Sequence, residues 1–162
     1  DDDIGWLAQR GHVPLGYLHD EAKTRRTFPV IDGVRYAVPG DRAVWRGDGS
    51  IELLGRDAVT INSGGEKIFA EEVEKAIGAH PGVRDVVCVG RPSERWGQEV
   101  VALVARGDDS ITEADLEATA SNYVARYKLP KAWIFLPEIR RSPAGKADYR
   151  WAAQTARDAA SR

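Results

Sequence analysis

The sequence predicts an α+β fold: a short β-sheet with packing helices, preceded by β-hairpins. Three observations predict it. Residues 1–54 carry two hairpin signals between apolar runs, Asp32-Gly33 and Arg46-Gly47-Asp48-Gly49-Ser50. From about residue 56, short β-branched runs alternate with segments of helical periodicity. Residues 55–74, GRDAVTINSGGEKIFAEEVE, join the two regimes, passing from a polar turn through a β-branched run and a glycine pair into a helix start. The expected division is 1–55, β-rich, and 56–162, an α+β domain of about 105 residues, large enough for its own core.

In the first part, residues 4–8 read as a short strand and 21–28 as a short helix with Asp20 as its N-cap. Residues 30–38 and 43–54 read as hairpins. Such hairpins bury little alone and need a partner surface. In the second part, 59–61 is a short strand, and 70–79 a helix with Phe69, Val73, Ala76 and Ile77 on one face, stopped by His80-Pro81-Gly82. Residues 83–89 and 99–106 are β-rich, joined by the loop GRPSERWGQ. Residues 110–127 form the clearest expected helix, with a capping box at Thr112 and Asp115 and a face of Leu116, Ala120, Tyr123, Val124 and Tyr127. Leu129-Pro130 ends it; 132–136 is a strand and 147–160 a last helix. Two or three strands packed by helices on one side is the expected arrangement.

With 43% hydrophobic and 30% charged residues, the chain has the composition of a soluble globular protein. A net charge of −2 offers no argument for nucleic acid or an anionic membrane. No apolar run approaches the ~18 residues of a membrane span, and no signal peptide opens the chain, so a cytoplasmic protein is expected. Cys88, within VVCVG, reads as a buried small hydrophobe. His12, His19 and His80 lack metal-ligand spacing, and no metal ligands are assigned. The chain starts Asp-Asp-Asp and contains no Met, so a piece of a longer protein is expected.

Chemistry concentrates at a few positions. Gly64 and Gly65 can take positive φ and admit another backbone or a ligand. Gly40-Asp41 and Gly55-Arg56 flank the second hairpin and bracket it with opposite charges. Ser142 to Lys146, SPAGK, is a loop of small residues ending in one lysine; such a lysine is usually a solvated charge.

Four motifs in order resemble those of the adenylate-forming enzymes, which include acyl-CoA synthetases, peptide-synthetase adenylation domains and firefly luciferase. VRYAVPGD resembles that family's Tyr-x-x-Gly-Asp, and GRDAVTINSGGEKI its hinge and loop. YKLPKAWIFLPEI and RSPAGKADYR resemble its Lys-Leu-Pro and Pro-x-x-x-Gly-Lys signatures. GHVPLGYLHDEAKTRRTF resembles the Gly-Tyr segment near the end of its large N-terminal domain. The wording SGGEKIFAEEVE, with Asn62 where luciferase and peptide-synthetase domains often carry Lys, is nearest to the fatty-acyl or aryl-CoA ligases.

The resemblance implies roles. Residues 1–55 would be the end of the large AMP-binding domain, and 56–162 the mobile C-terminal domain. Asp41 would accept hydrogen bonds from the ribose hydroxyls of ATP or the adenylate, two at once, with Arg56 beside it. Lys146 would be catalytic, contacting the reacting carboxylate and the phosphate as pyrophosphate leaves. Ser63, Gly64, Gly65, Glu66 and Lys67 would form the loop past which the pantetheine arm of CoA runs. The hinge would fall at Asp57 and Ala58; alignment on the flanking glycines puts Ala58 where many relatives have Asp or Lys.

The function implied is that of an AMP-forming acyl-CoA ligase acting on a carboxylic acid, expected to be a fatty acid. ATP and CoA would be co-substrates, and Mg2+ would be held mainly by the N-terminal part. Two alternatives stay open: an adenylation domain loading a carrier protein, and a non-catalytic α+β binding module when isolated. The 162 residues alone are expected to lack ligase activity. A homo-oligomer is left open, because orphaned hairpin edges can pair with a neighbouring copy.

Overall fold

The chain's structure, a computed structural model, describes residues 4–160. The outer limits of the two expected domains, residues 1 and 162, lie outside the described residues. The chain divides into two compact units, Asp1–Ala58 and Val59–Arg162.

The first unit contains β1 (Ile4–Trp6), β2 (Gln9–Arg10), α1 (Glu21–Thr27), β3 (Val30–Ile31), β4 (Val34–Ala37), β5 (Asp41–Trp45) and β6 (Ile51–Arg56). They form two three-stranded antiparallel sheets, ordered β1-β5-β6 and β2-β4-β3. Asp20 caps α1 by accepting from the Lys23 amide at 2.9 Å. Asp32 and Gly33, both at positive φ, make the β3–β4 turn. The unit buries little: Phe28, Ala43 and Val44 are its core, while Leu15, Leu18 and Trp45 stand 92%, 85% and 72% exposed. A 3-10 turn, Asp57–Val59, follows β6.

The second unit contains β7 (Thr60–Ser63), β8 (Glu66–Phe69), α2 (Ala70–Gly78), β9 (Val83–Ser93), β10 (Gly97–Arg106), α3 (Glu113–Ala120), β11 (Ala132–Leu136) and α4 (Tyr149–Ala160). β10 is the central strand of its five-stranded sheet. It runs antiparallel to β9 along its whole length and parallel to β11 over Val101–Ala105, and it meets β7 at Gly97↔Ser63.

Its sequence explains that place. VVALVA is apolar without alternation, as a strand covered on both faces must be. Val100, Ala102 and Val104 join one cluster with Val73, Ile77 and Leu116 of α2 and α3. Val101, Leu103 and Ala105 join a second with Ala152 and Ala156 of α4. The helices therefore cover both faces of a larger sheet, where two or three strands covered on one side were expected.

Two further expectations are corrected. The helix expected over 110–127 ends at Ala120 and is followed by a turn and a 3-10 helix, Arg126–Lys128. The cause is local: the Ser121 hydroxyl donates to the Ala118 carbonyl at 2.9 Å, and the Asn122 amide to those of Ala118 and Thr119 at 3.0 and 3.3 Å. Side chains that bond back to the last carbonyls favour a stop over another turn. Tyr123 and Tyr127 consequently leave the core and are exposed. The loop expected between β9 and β10 shrinks to residues 94–96, because Arg91 to Ser93 continue the ladder. The capping box at Thr112 and Asp115 is present as expected.

Candidate functional site

In the first unit the hairpin places Asp41 opposite Arg56 in register, at the start of one strand and the end of the next. Asp41 Oδ1 lies 3.7 Å from Arg56 Nε. A register shift after Arg42 skips Leu54, next to Gly55, whose φ of +135° only glycine adopts without strain. Gly40, at φ +103°, turns the chain so that its carbonyl accepts from the Asp57 amide at 3.0 Å. The Asp57 carboxylate faces Arg42, whose guanidinium also lies over the Trp6 ring at 4.3 Å. Ala58 is the middle residue of the 3-10 turn.

In the second unit, the glycine loop is a tight hairpin turn between β7 and β8. Ser63 pairs with Glu66, and Gly64 and Gly65 supply the two positive φ values, +60° and +88°, of a tight two-residue turn. Trp96 packs against it: the Gly64 amide donates to the Trp96 carbonyl at 2.9 Å, and a Cβ on Gly64 would meet the indole at 3.0 Å. The Arg95 guanidinium lies over the Trp96 ring, 4.6 Å from its centroid. Glu66 and Lys67 are exposed at the start of β8. Sequence reasoning passed over Trp96; an indole inside an otherwise polar turn was the available signal.

Lys146 is exposed on the loop between β11 and α4. The loop closes on itself: the Gly145 amide donates to the Ser142 carbonyl at 2.8 Å, the Ser142 amide to the Lys146 carbonyl at 2.8 Å, and the Lys146 amide to Ser142 Oγ at 3.2 Å. Gly145 sits at φ +77°. Arg141 anchors the base through a two-pronged ion pair to Asp85 of β9, at 2.7 and 2.6 Å. The Arg141 hydrogen bonds hold the Asp85 carboxyl below the usual carboxylate range.

Behind this base lies Glu74 of α2. It accepts from the Cys88 amide at 2.8 Å and from the Tyr149 hydroxyl at 3.2 Å, joining α2, β9 and α4. Burial pushes its carboxyl up to about 7, and burial also raises the Tyr149 hydroxyl and the Cys88 thiol. Cys88 is fully buried, as expected. Lys128, of the Lys-Leu-Pro motif, is held by both oxygens of Glu72 at 2.7 Å. Among the described residues no three His, Cys, Asp or Glu side chains are grouped to hold a metal ion.

An exposed lysine on a pinned loop and a glycine turn backed by an indole thus sit on one small α+β domain. Residues 72–146 match the AMP-binding enzyme C-terminal domain, and the chain is a C-terminal portion of an adenylate-forming, AMP-binding enzyme. Over 156 residues it is 70% identical to the medium-chain acyl-CoA ligase Mig of Mycobacterium avium, covering 96% of this chain and 28% of that protein. It is 51% identical over 150 residues to the 3-oxocholest-4-en-26-oate–CoA ligase of Rhodococcus rhodochrous, covering 92% of this chain and 27% of that one. The chain thus spans under a third of the curated relatives it matches. Among solved structures it is similar to ATP-bound MatB of Rhodopseudomonas palustris, with a TM-score of 0.79 and 29% identity over 97% of this chain and 31% of that one. The o-succinylbenzoate CoA synthetase of Bacillus subtilis shares the fold at a TM-score of 0.83 and 24% identity, over 93% of this chain and 30% of that one.

Proposed function

We propose that the protein carrying this chain is an ATP-dependent acyl-CoA ligase. It joins a carboxylic acid to AMP with release of pyrophosphate, then passes the acyl group from the adenylate to the thiol of CoA. The observation that carries the reading is the exposed Lys146 on its anchored loop, in a chain so similar to a medium-chain acyl-CoA ligase. A flexible ammonium with three donors can meet a carboxylate and a phosphate together and offset charge as pyrophosphate departs. In this reading Asp41 and Arg56 face the ribose, the Ser63–Lys67 turn borders the path of CoA, and Asp57 and Ala58 are the hinge. A fatty acid is the first substrate class to test, and the cytoplasm is the proposed compartment. No helix of the described residues is long and apolar enough to cross a membrane.

The low burial of the first unit supports a partner surface within the same protein. Leu15, Leu18 and Trp45 are exposed apolar side chains of the kind that an N-terminal domain would cover. The chain by itself is accordingly proposed to be inactive.

The test uses the full-length protein with ATP, Mg2+, CoA and a panel of carboxylic acids, read by mass spectrometry. Acyl-CoA is the expected product. Acyl-adenylate without a CoA thioester would favour a carrier-protein acceptor.

A further inference from the structure

The hydrogen bonds within residues 142–146 give the Lys146 loop its shape but do not attach it to the domain. Ile139 before the loop and Ala147 and Tyr149 after it pack on the core, and within the loop's base one side chain ties its backbone to the sheet. Arg141 donates from Nε and Nη2 to the two oxygens of Asp85, and from Nη1 to the carbonyl of Gly145 at 3.0 Å. One planar guanidinium thus links a carboxylate on β9 to the peptide group immediately before Lys146. The Asp85 carboxylate also accepts from the Val86 amide at 2.8 Å, so it is fixed on its own strand. That strand is hydrogen-bonded to β10 throughout, with Asp85 opposite Ala105.

We propose that Asp85 is a positioning residue for Lys146, acting through the Arg141 fork on the Gly145 carbonyl. The proposal rests on the ligase reading above. Asp85 touches no reactant; it sets the angle of Arg141, and Arg141 sets the peptide from which the lysine rises. Arginine is required because a lysine offers one point charge and cannot bond both carboxylate oxygens and a carbonyl in one plane. Holding a reacting group in place is worth most where it meets its partner in only one step, and a misplacement of about 1 Å costs on the order of 100-fold in rate. The effect of Asp85 therefore belongs to adenylation. Attack of CoA on the finished adenylate does not use Lys146 and should not sense Asp85.

The experiment measures two half-reactions of the full-length protein: acid-dependent ATP–pyrophosphate exchange, and thioester formation from preformed acyl-adenylate and CoA. Asp85→Asn and the milder Arg141→Lys are each expected to lower the exchange kcat about 10-fold, with little change in KM for ATP and an unchanged thioester step. In the double variant Asp85→Asn/Lys146→Ala, exchange should fall no further than in Lys146→Ala alone. Wild-type exchange in Asp85→Asn and Arg141→Lys, while Lys146→Ala has lost it, would overturn this proposal and leave the ligase reading standing. Equal losses in both half-reactions, or additive losses in the double variant, would show a purely structural role and overturn it as well. If Lys146→Ala itself exchanges at the wild-type rate, the role of the lysine fails first and the proposal falls with it.

Discussion

Asp41 and Arg56 stand opposite each other across the β5–β6 ladder, carboxylate to guanidinium at 3.7 Å, although fifteen residues separate them in the chain. Both are partly exposed, and such a pair contributes under about 1 kcal/mol to stability. Stability alone is thus a weak reason for the pair. If it meets the ribose, Asp41→Ala should raise KM for ATP in the full-length protein about 10-fold or more, the loss expected for charge-assisted hydrogen bonds. Thermal stability should stay nearly unchanged. An unaltered KM in pyrophosphate exchange at varied ATP would remove Asp41 from the nucleotide site.

Lys146 tests the chemistry most directly. Lys146→Ala is expected to cut exchange at least about 100-fold, the scale on which removal of a transition-state donor acts. The thioester step from preformed adenylate should suffer far less. Equal exchange rates in variant and wild type would exclude the role.

Gly64 and Gly65 look alike in sequence but differ in surroundings. At Gly65 an added Cβ meets nothing within 4 Å, so Gly65→Ala carries only the left-handed backbone cost, about 1–2 kcal/mol. At Gly64 the same cost is joined by contact with Trp96 at 3.0 Å. Gly64→Ala should therefore be the more destabilising and should move the indole. If the turn borders the CoA path, Gly64→Ala raises KM for CoA and leaves exchange intact. Indole fluorescence and CoA titration of the full-length protein check both halves.

This contrast shows what was legible in the sequence. Periodicity and turn chemistry placed α2, the capping box of α3, the β5–β6 hairpin and the buried Cys88, because each depends on neighbours a few residues away. Residues 63–67 read as a loop because a two-residue glycine turn leaves no apolar alternation to mark β8. The end of α3 was missed because helical spacing continues to Tyr127, while Ser121 and Asn122 bond back to the helix and stop it. The Arg141–Asp85 and Tyr149–Glu74 contacts join residues 56 and 75 positions apart. No local pattern announces such pairs; they exist only once β9, α2 and α4 have packed.

Glu74 makes stability depend on pH. Its carboxyl, ordinarily at 4.5, is pushed up to about 7, chiefly by burial, with Glu71 on its own helix adding repulsion. The Cys88 amide, Tyr149 and Arg141 act the other way. The folded state therefore keeps the proton where the unfolded chain has released it. The contribution is fully present below about pH 4.5, is lost as pH rises, and levels off above about pH 7, with a span of up to about 3 kcal/mol. Glu74→Gln keeps an acceptor for the Cys88 amide and removes the titration. Hydrogen exchange at Val87 and Cys88 should show wild type losing protection relative to this variant between pH 5 and pH 8. Parallel behaviour of the two proteins would show that Glu74 stays ionised when folded.

Asp57 and Ala58 share one 3-10 turn at the boundary of the two compact units. Proline at 58 would fix its own φ and push Asp57 away from the helical region that the turn requires. If this turn is the hinge of the proposed two-step cycle, Ala58→Pro should favour one arrangement at the expense of the other. One half-reaction should then run within about 3-fold of wild type while the other slows at least about 10-fold, as for hinge residues remote from the chemistry. Loss confined to the thioester step would mean that the adenylating arrangement is the one retained, and loss confined to exchange the reverse. Wild-type rates in both steps would place the hinge elsewhere, because a joint that tolerates a fixed φ is not the one that turns.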